Sequence, residues 1–413
     1  MNTILVSKEK PKVLQINVSA NWGSTGRIAE GINRAAQKAG WDTTIAYSRI
    51  ANPSESKLYR IGGKIDILIA VLETRLFDRA GLAMRHATKK LIEYIKTTQP
   101  NIVHLHNIHG YVINYEMLFK YLNKTTIKVV WTFHDFWAIT GHCFHFCGVG
   151  CCKWKELCYD CPLHREYPSS LTDFSKRNFK IKKESFTANK SLTIASVSAW
   201  VDSYIGDSFL KNKKHIVINN GVNISVFKPT LGFRHPEVKE NDFLILGVAS
   251  QWSVGKGFED FVALSKMLQS DEKIFLIGLP QKMINHLPNN IIGLERTNSV
   301  QELTAAYTRA NVFVSFSKAE TFGLTIIEAM ACGTPAIVYD NSAPPYHITD
   351  NTGFVVPNGD YCKAYSRIQE VKEKGADYYT HKCIKHARLH YDENEGFQKY
   401  VALYNELINR NKK

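Results

Sequence analysis

The stretch KAETFGLTIIEAMACGTP, residues 318–335, places Glu320 and Glu328 on either side of the turn Phe322-Gly323-Leu324-Thr325. A short apolar run precedes this stretch and another follows it, a pattern typical of two buried strands joined by one helix. The helix is predicted from Leu324 to about Cys332. The turn then lies at the helix N-terminus, directly after the first strand.

The same strand and helix pattern recurs along the chain. Because the apolar runs are continuous rather than alternating, they predict parallel sheets covered on both faces. The predicted strands are Lys12 to Val18, Thr43 to Tyr47, Ile102 to Leu105, Lys128 to Phe133, Leu192 to Val197, Phe243 to Ala249, Lys273 to Gly278, Val312 to Ser315 and Pro335 to Tyr339. The fold class is therefore α/β, with two doubly wound Rossmann-like domains that face each other across a ligand-binding cleft.

The predicted domain boundaries follow the point where the strand pattern restarts. The N-terminal domain covers residues 1–215 and includes a Cys-rich insertion at about 142–165. The C-terminal domain covers residues 216–390. Residues 391–413 form an amphipathic helix, with apolar side chains at helical spacing, that packs on the body of the protein.

The composition limits the classes of protein to which the chain can belong. A chain of 413 residues with 44% hydrophobic side chains is long enough for two or three globular domains. We expect no transmembrane helix and no secretory signal, which predicts a cytoplasmic protein with reduced cysteines. The net charge of +14 suits an anionic partner, although dispersed lysines are also typical of a solvated surface.

The turn at 322–325 is predicted to bind an anion, because helix N-termini present unpaired amides and a positive dipole end. Glu328, one turn into the helix, could accept hydrogen bonds from a ribose. Glu320 could bind hydroxyls of a second sugar, so the pair would hold a nucleotide-sugar. The alternative is that Glu320 caps the helix and Glu328 is a solvated side chain.

Two further loops follow predicted strands. Lys256 lies in the loop 250–257 and could neutralise a leaving diphosphate, or it could be an ordinary solvated lysine. Gly23, Ser24, Thr25 and Gly26 lie between the first strand and the first helix, where glycine lets the backbone approach a phosphate or substrate. This loop lacks the G-x-G-x-x-G spacing of dinucleotide enzymes, which argues against a nicotinamide or flavin cofactor.

His134 ends the strand Lys128 to Phe133, so it lies at the mouth of the first predicted sheet. There it could hydrogen-bond a sugar hydroxyl near the reacting centre. In the alternative interpretation, His134 is hydrogen-bonded within the core or is simply exposed to solvent.

Together these segments resemble the retaining glycosyltransferases of family 4, which have the GT-B fold. The resemblance rests on Glu320 and Glu328 around FGLT, the following ACGTP, Lys256-Gly257, the STGR run from Ser24, His134-Asp135, and Asn220-Gly221-Val222-Asn223 with Phe227. It spans essentially the whole chain. The segment around the two glutamates is the most specific part.

The resemblance implies transfer of a hexose from a UDP- or GDP-linked donor to a glycan or polyprenyl-diphosphate-linked acceptor, without a catalytic divalent metal. Surface polysaccharide biosynthesis and peripheral association with the inner membrane face are implied with it. The N-terminal domain is then the acceptor side, and the C-terminal domain binds the donor.

The implied catalytic residues are His134 near the anomeric carbon, Lys256 at the diphosphate and Glu320 at the hexose. Donor binding is assigned to Glu328 at the ribose, to Phe322, Gly323, Leu324 and Thr325 at the hexose and phosphates, and to Ser250. The loop Gly23, Ser24, Thr25 and Gly26 is assigned to acceptor or phosphate.

Two departures from the family pattern concern the donor pocket. Ser250 or Gln251 occupies the place where relatives commonly carry an arginine that binds the diphosphate. Asn341 to Tyr346 replaces a common glycine pair followed by proline and glutamate. A catalytically inactive relative that still binds a nucleotide-sugar is therefore an open alternative.

Six of the nine cysteines lie between His142 and Pro162. Cys158-x-x-Cys161, preceded by Cys143 and Cys151, has spacing typical of a tetrahedral structural zinc site. Unligated buried thiols and an iron–sulfur cluster are the alternatives. A zinc-containing nucleic-acid-binding protein is a remote hypothesis, because a second CxxC pair and a concentrated basic strip are missing. We therefore expect no nucleic-acid partner.

Overall fold

The computed structural model describes residues 9–409 and divides into two compact units. The first unit takes in residues 9–197, 201–218 and 397–409. The second unit takes in residues 198–200 and 219–396. The chain thus passes from the first unit to the second after Ile218 and returns within its last helix.

The first unit is built on a seven-stranded, fully parallel sheet in the order β3-β2-β1-β4-β5-β6-β7. Its strands are β1 (Lys12–Ala20), β2 (Asp42–Ala51), β3 (Lys57–Arg60), β4 (Ile102–Leu105), β5 (Lys128–Phe133), β6 (Leu192–Ser196) and β7 (Lys214–Val217). Its helices are α1 (Gly23–Lys38), α2 (Lys64–Phe77), α3 (Arg85–Thr98), α4 (Tyr115–Leu122), α5 (Ser175–Thr187) and α6 (Ala199–Gly206), which begins in the second unit's short segment.

The second unit has a six-stranded parallel sheet in the order β10-β9-β8-β11-β12-β13. Its strands are β8 (Phe243–Val248), β9 (Glu272–Ile277), β10 (Ile291–Leu294), β11 (Val312–Ser315), β12 (Ala336–Tyr339) and β13 (Gly353–Val356). Its helices are α7 (Phe258–Ser265), α8 (Gln281–Ile284), α9 (Val300–Arg309), α10 (Leu324–Ala331), α11 (Tyr361–Lys374) and α12 (Asp377–His390).

The last helix, α13 (Glu393–Asn409), belongs mostly to the first unit. Its apolar side chains, among them Phe397, Tyr400 and Tyr404, are buried in one cluster with Val13 of β1 and Ile32 of α1. Burial of several such side chains stabilises the helix against the sheet by about 1.5–3 kcal/mol each. The amphipathic pattern at the chain end therefore corresponds to a core element of the first unit.

The predicted α/β fold class is confirmed, and each of the nine predicted strands corresponds to an observed strand. Their ends agree within two residues, except that β2 continues four residues beyond the predicted end at Tyr47. The strands that the sequence pattern missed are β3, β7, β10 and β13, which are the four edge strands of the two sheets. Among residues 9–409, no helix is both long and apolar enough to cross a bilayer.

Candidate functional site

In the second unit, the loops after β8 and β11 bring Lys256 and Glu320 together. Lys256 ends a short 3-10 turn, Val254–Lys256, and its Nζ forms an ion pair with Glu320 Oε1. The Lys318 amide also donates to the Gly255 carbonyl at 2.8 Å. The two residues that the sequence analysis placed at the strand ends are thus direct neighbours.

Gly257 allows this close approach. It has φ +71°, and a Cβ there would lie 2.3 Å from the Phe316 carbonyl oxygen and 2.4 Å from the Phe316 Cβ. Only glycine fits a left-handed position with backbone so near. The backbone at Gly257 therefore sets the distance between the loop that carries Lys256 and the end of β11.

The loop after β12 holds the Glu320 backbone on its other side. The Glu320 amide donates to Ser342 Oγ at 3.1 Å, and the Ala343 amide donates to the Glu320 carbonyl at 3.0 Å. Asn341 Nδ2 donates to the Lys318 carbonyl at 3.0 Å. The segment that departs from the family pattern is thus part of the scaffold around Glu320.

The predicted anion-binding turn lies at the start of α10. Gly323, with φ +92°, is the N-cap residue, and the first N–H groups of a helix have no partner within the helix. The side chain of Phe322 is buried, and its carbonyl accepts a hydrogen bond from His347 Nε2 at 2.7 Å. The Phe322 side chain therefore supports the turn from within the core, and the donor-binding role of the turn stays a prediction.

Glu328 lies in the second turn of α10, half-buried. Its Oε2 accepts a hydrogen bond from the Tyr307 hydroxyl at 2.8 Å, and Tyr307 on α9 is fully buried. Burial and the adjacent Glu328 carboxylate raise the pKa of Tyr307 well above its usual range, so Tyr307 stays a donor. This contact fixes the orientation of the Glu328 carboxylate.

Ser250 and Gln251 are exposed in the loop after β8. Neither side chain carries a charge, so the place where relatives commonly have an arginine has no cation of its own. Lys256 lies in the same loop. The donor-binding role of Ser250 stays a prediction.

In the first unit, the predicted loop Gly23 to Gly26 is the first turn of α1 rather than a loop. Gly23 has φ +66°, and a Cβ at Gly26 would lie 2.9 Å from Ser19 Oγ. Ser24 is exposed, and Thr25 Oγ1 accepts a hydrogen bond from Asn17 Nδ2 at 3.3 Å. The helix starts earlier than predicted, which places its unpaired amides within this segment.

His134, directly after β5, is held by a chain of buried polar groups. The Gln15 amide donates to the Ala29 carbonyl and to Asn33 Oδ1, so its Oε1 is left to accept from His106 Nε2 at 2.6 Å. His106 Nδ1 must then accept from His134 Nε2, which lies 3.0 Å away. The network leaves His134 Nδ1 as a hydrogen-bond acceptor.

Burial lowers the pKa of His134 to about 4, with Asp135 acting in the opposite direction and His109 in the same one. His134 is therefore a neutral imidazole near pH 7, suited to accept a hydroxyl proton in a hydrogen bond. The sequence analysis missed His106 and Gln15. The cluster of His104 in β4 with His106 and His109 just after it is the signal that could have identified His106.

The four predicted zinc ligands line one small cavity of about 10 Å³, together with His142, Phe146 and Trp154. His142 Nδ1 contacts the Asp78 carboxylate at 2.6 Å, and its Nε2 is buried without a hydrogen-bond partner. Metal-binding histidines commonly donate to a carboxylate in this way. Within residues 9–409, however, no three His, Cys, Asp or Glu side chains are already gathered in a metal-binding arrangement.

Two family models match the chain. The model described as "Glycosyltransferase Family 4" matches residues 25–226, and the model described as "Glycosyl transferases group 1" matches residues 234–390. The first match lies in the first unit apart from residues 198–200 and 219–226, and the second match lies in the second unit.

Individual relatives agree with these models. The putative colanic acid biosynthesis glycosyl transferase WcaC of Escherichia coli K12 is 20% identical over 420 residues, which cover 96% of this chain and 100% of WcaC. Sucrose-phosphate synthase of Thermosynechococcus elongatus is 15% identical with a TM-score of 0.71, covering 97% of this chain and 99% of that chain. Anabaena HepE in complex with UDP-glucose is 14% identical with a TM-score of 0.60, covering 96% and 99%.

The matched models span both units, and the structural neighbours share the GT-B fold. The resemblance drawn from the two glutamates and their surrounding motifs is confirmed. The chain is a glycosyltransferase and belongs to glycosyltransferase family 4.

Proposed function

We propose that this enzyme transfers a hexosyl group, with retention of configuration, from a UDP- or GDP-linked sugar to a hydroxyl of a glycan or lipid-linked glycan in surface polysaccharide biosynthesis. The contact between Lys256 and Glu320 at the start of α10 carries the proposal. It joins a cation, an acid and helix N-terminal amides at the carboxyl end of one parallel sheet, where such folds bind ligands.

Each group of this cluster has a task in the transfer. Lys256 and the first amides of α10 stabilise the diphosphate as its bond to the sugar breaks, because they are preorganised where negative charge develops. Glu328, oriented by Tyr307, binds the ribose hydroxyls. Glu320 binds a hexose hydroxyl. No covalent nucleophile and no catalytic divalent metal take part.

The donor assignment is supported by HepE, which binds UDP-glucose, and the polysaccharide assignment by WcaC, which is named for colanic acid biosynthesis. A thermal-shift screen with UDP-, GDP- and ADP-sugars identifies the donor, because a ligand that binds only the folded state raises the Tm. Transfer of labelled sugar from that donor to lipid-linked glycans, which are obtained by lipid extraction, then tests the activity. The transfer is measured with and without EDTA. Tight donor binding with neither transfer nor donor hydrolysis would instead support the inactive-relative alternative.

We also place the enzyme in the cytoplasm, in contact with an anionic membrane through α2. This helix exposes Ile65, Leu68, Ile69, Leu72, Leu76 and Phe77, with exposed fractions from 45% to 75%. The spacing puts most of them on one helix face, and a soluble monomer rarely exposes such a stripe. The net charge of +14 favours anionic lipid as the partner.

Vesicle flotation tests the membrane contact. We expect binding to vesicles containing phosphatidylglycerol, and loss of binding in the double variant Leu68→Glu and Leu72→Glu. Leu389→Glu, which changes an exposed leucine of α12 in the second unit, is the matched control. Equal flotation of both variants would contradict the assignment, and concentration-dependent dimers lost in the double variant would point to self-association.

A further inference from the structure

A second histidine lies beside His134 and has no role in the site described so far. His109 follows β4, and its Nε2 lies 2.7 Å from Asp135 Oδ2. Asp135 Oδ1 accepts the Trp137 amide at 2.9 Å. The carboxylate is thus fixed by the backbone on one side and contacts the imidazole on the other.

Asp135 is an ionised acceptor. Burial alone would raise its pKa, but the adjacent His109 and the Trp137 amide outweigh burial and lower the pKa to about 2. A carboxylate can only accept hydrogen bonds, so Nε2 of His109 must carry the proton. In the neutral imidazole, Nδ1 of His109 is then an acceptor.

This Nδ1 atom is buried and has no hydrogen-bond partner, and His109 is only 8% exposed. An unsatisfied buried ring nitrogen is costly, so it indicates a place where a polar group of a ligand binds. His109, His134, Asp135 and Asn107 line one small cavity of about 10 Å³ at the carboxyl ends of β4 and β5. A space of this size holds a single hydroxyl-sized group, such as one hydroxyl of a larger ligand.

We propose that His109 Nδ1, held by Asp135, accepts a hydrogen bond from a hydroxyl of the acceptor sugar. The inference rests on the proposed transfer reaction and assigns His109 to acceptor binding. It requires no proton abstraction by His109, because the contact is a hydrogen bond from an intact hydroxyl.

The substitutions His109→Gln and His109→Asn test the roles of the two ring nitrogens of His109 one at a time. The glutamine amide reaches the position of Nε2 and can still donate to Asp135, but it leaves nothing at Nδ1. The asparagine amide places an acceptor near Nδ1 and loses the contact with Asp135. His215→Gln, at a half-buried His–Asp pair elsewhere in the same unit, is the matched control.

The kinetic probe is the best acceptor from a panel of octyl glycosides of common hexoses. We expect His109→Gln to raise the acceptor KM about tenfold, the effect of one lost hydrogen bond, with donor KM and Tm unchanged. His109→Asn should recover part of this loss, and the control should behave as wild type. An unchanged acceptor KM, or an equal rise in donor KM, overturns the inference while wild-type transfer still supports the proposed function.

A second measurement does not depend on an acceptor. Nitrogen-15 spectra of labelled histidine at pH 8, assigned by comparison with His109→Gln, should show His109 protonated at Nε2 and unprotonated at Nδ1. Protonation at Nδ1 overturns the inference even if no octyl glycoside is used. Absence of transfer from every donor would contradict the proposed function alone.

Discussion

Lys256 is the residue whose charge bears most directly on the chemistry. Its ion pair with Glu320 has both side chains partly exposed, at 33% and 22%, so the pair adds little to stability. A lysine so placed can exchange a carboxylate partner for a diphosphate. We therefore expect the charge of Lys256 to affect the rate of turnover rather than the stability of the fold.

Lys256→Met should reduce kcat about 100-fold or more, because one preorganised donor at a developing charge is worth roughly 100- to 1,000-fold. The unfolding free energy should change little. Steady-state kinetics with the identified donor check this, with Lys266→Met, an exposed lysine after α7, as the control. Wild-type kcat in Lys256→Met would remove the assigned role.

Glu328 is predicted to act in donor binding. Glu328→Ala should raise the donor KM about 10- to 100-fold, the range for a lost charge-assisted hydrogen bond, with a smaller change in kcat. Tyr307→Phe should give a weaker effect in the same direction, because it frees the carboxylate without removing it. Isothermal titration with donor measures both, and unaltered affinity in Glu328→Ala would contradict the ribose assignment.

At the scale of elements, the turn between β8 and α7 is a rigid support for Lys256. Gly257→Ala should destabilise the protein by at least about 1 kcal/mol. The alanine would have to keep the left-handed backbone conformation of Gly257, and its Cβ would clash with Phe316. Gly255→Ala in the same turn is the control, since its Cβ would meet nothing closer than Ser253 Oγ at 3.7 Å. Urea unfolding compares the two, and equal stability would count against this account.

The Cys-rich insertion is the second element with a testable role. We propose that it binds one structural zinc through Cys143, Cys151, Cys158 and Cys161, with His142 available to replace one thiolate at the same cavity. Elemental analysis should find about one zinc per chain. The double variant Cys158→Ser and Cys161→Ser should lose it, whereas Cys362→Ser, an exposed cysteine on α11, should keep it. Metal-free protein with all thiols titratable would exclude the site.

At the scale of the molecule, buried neutral histidines make stability depend on pH. Burial lowers the pKa of His104 in the first unit to about 3 and that of His347 in the second to about 4, from an ordinary 6.5. The unfolded chain therefore takes up these protons first as the pH falls. The stabilisation that these neutral histidines provide is fully present above pH 6.5, and it is lost progressively between pH 6.5 and about 4.

Each of these two histidines should contribute a slope of about 1.4 kcal/mol per pH unit in that interval. Chemical denaturation at half-unit steps from pH 7.5 to pH 4 measures it. A free energy of unfolding that stays flat across the interval would show that these histidines are protonated in the folded protein.

Local sequence patterns were enough to predict the central strands of both sheets and the residues at their carboxyl ends, including Lys256, Glu320 and His134. Central parallel strands are buried on both faces, so they appear as continuous apolar runs that can be recognised without a structure. The edge strands β3 (KLYR) and β7 (KHIV) are partly exposed and carry charged residues, so their apolar signal is weak. The edge strands β10 (IIGL) and β13 (GFVV) are apolar but short, and each contains a glycine that weakens the strand pattern.

Contacts between side chains that are far apart in the sequence could be identified only in the folded chain. The contact of Lys256 with Glu320 spans 64 positions, and that of Tyr307 with Glu328 spans 21. The tautomers of His106 and His134 follow from Gln15, which lies 91 positions before His106. Such contacts depend on strand order and loop packing, which place distant residues together through the whole sheet rather than through local spacing.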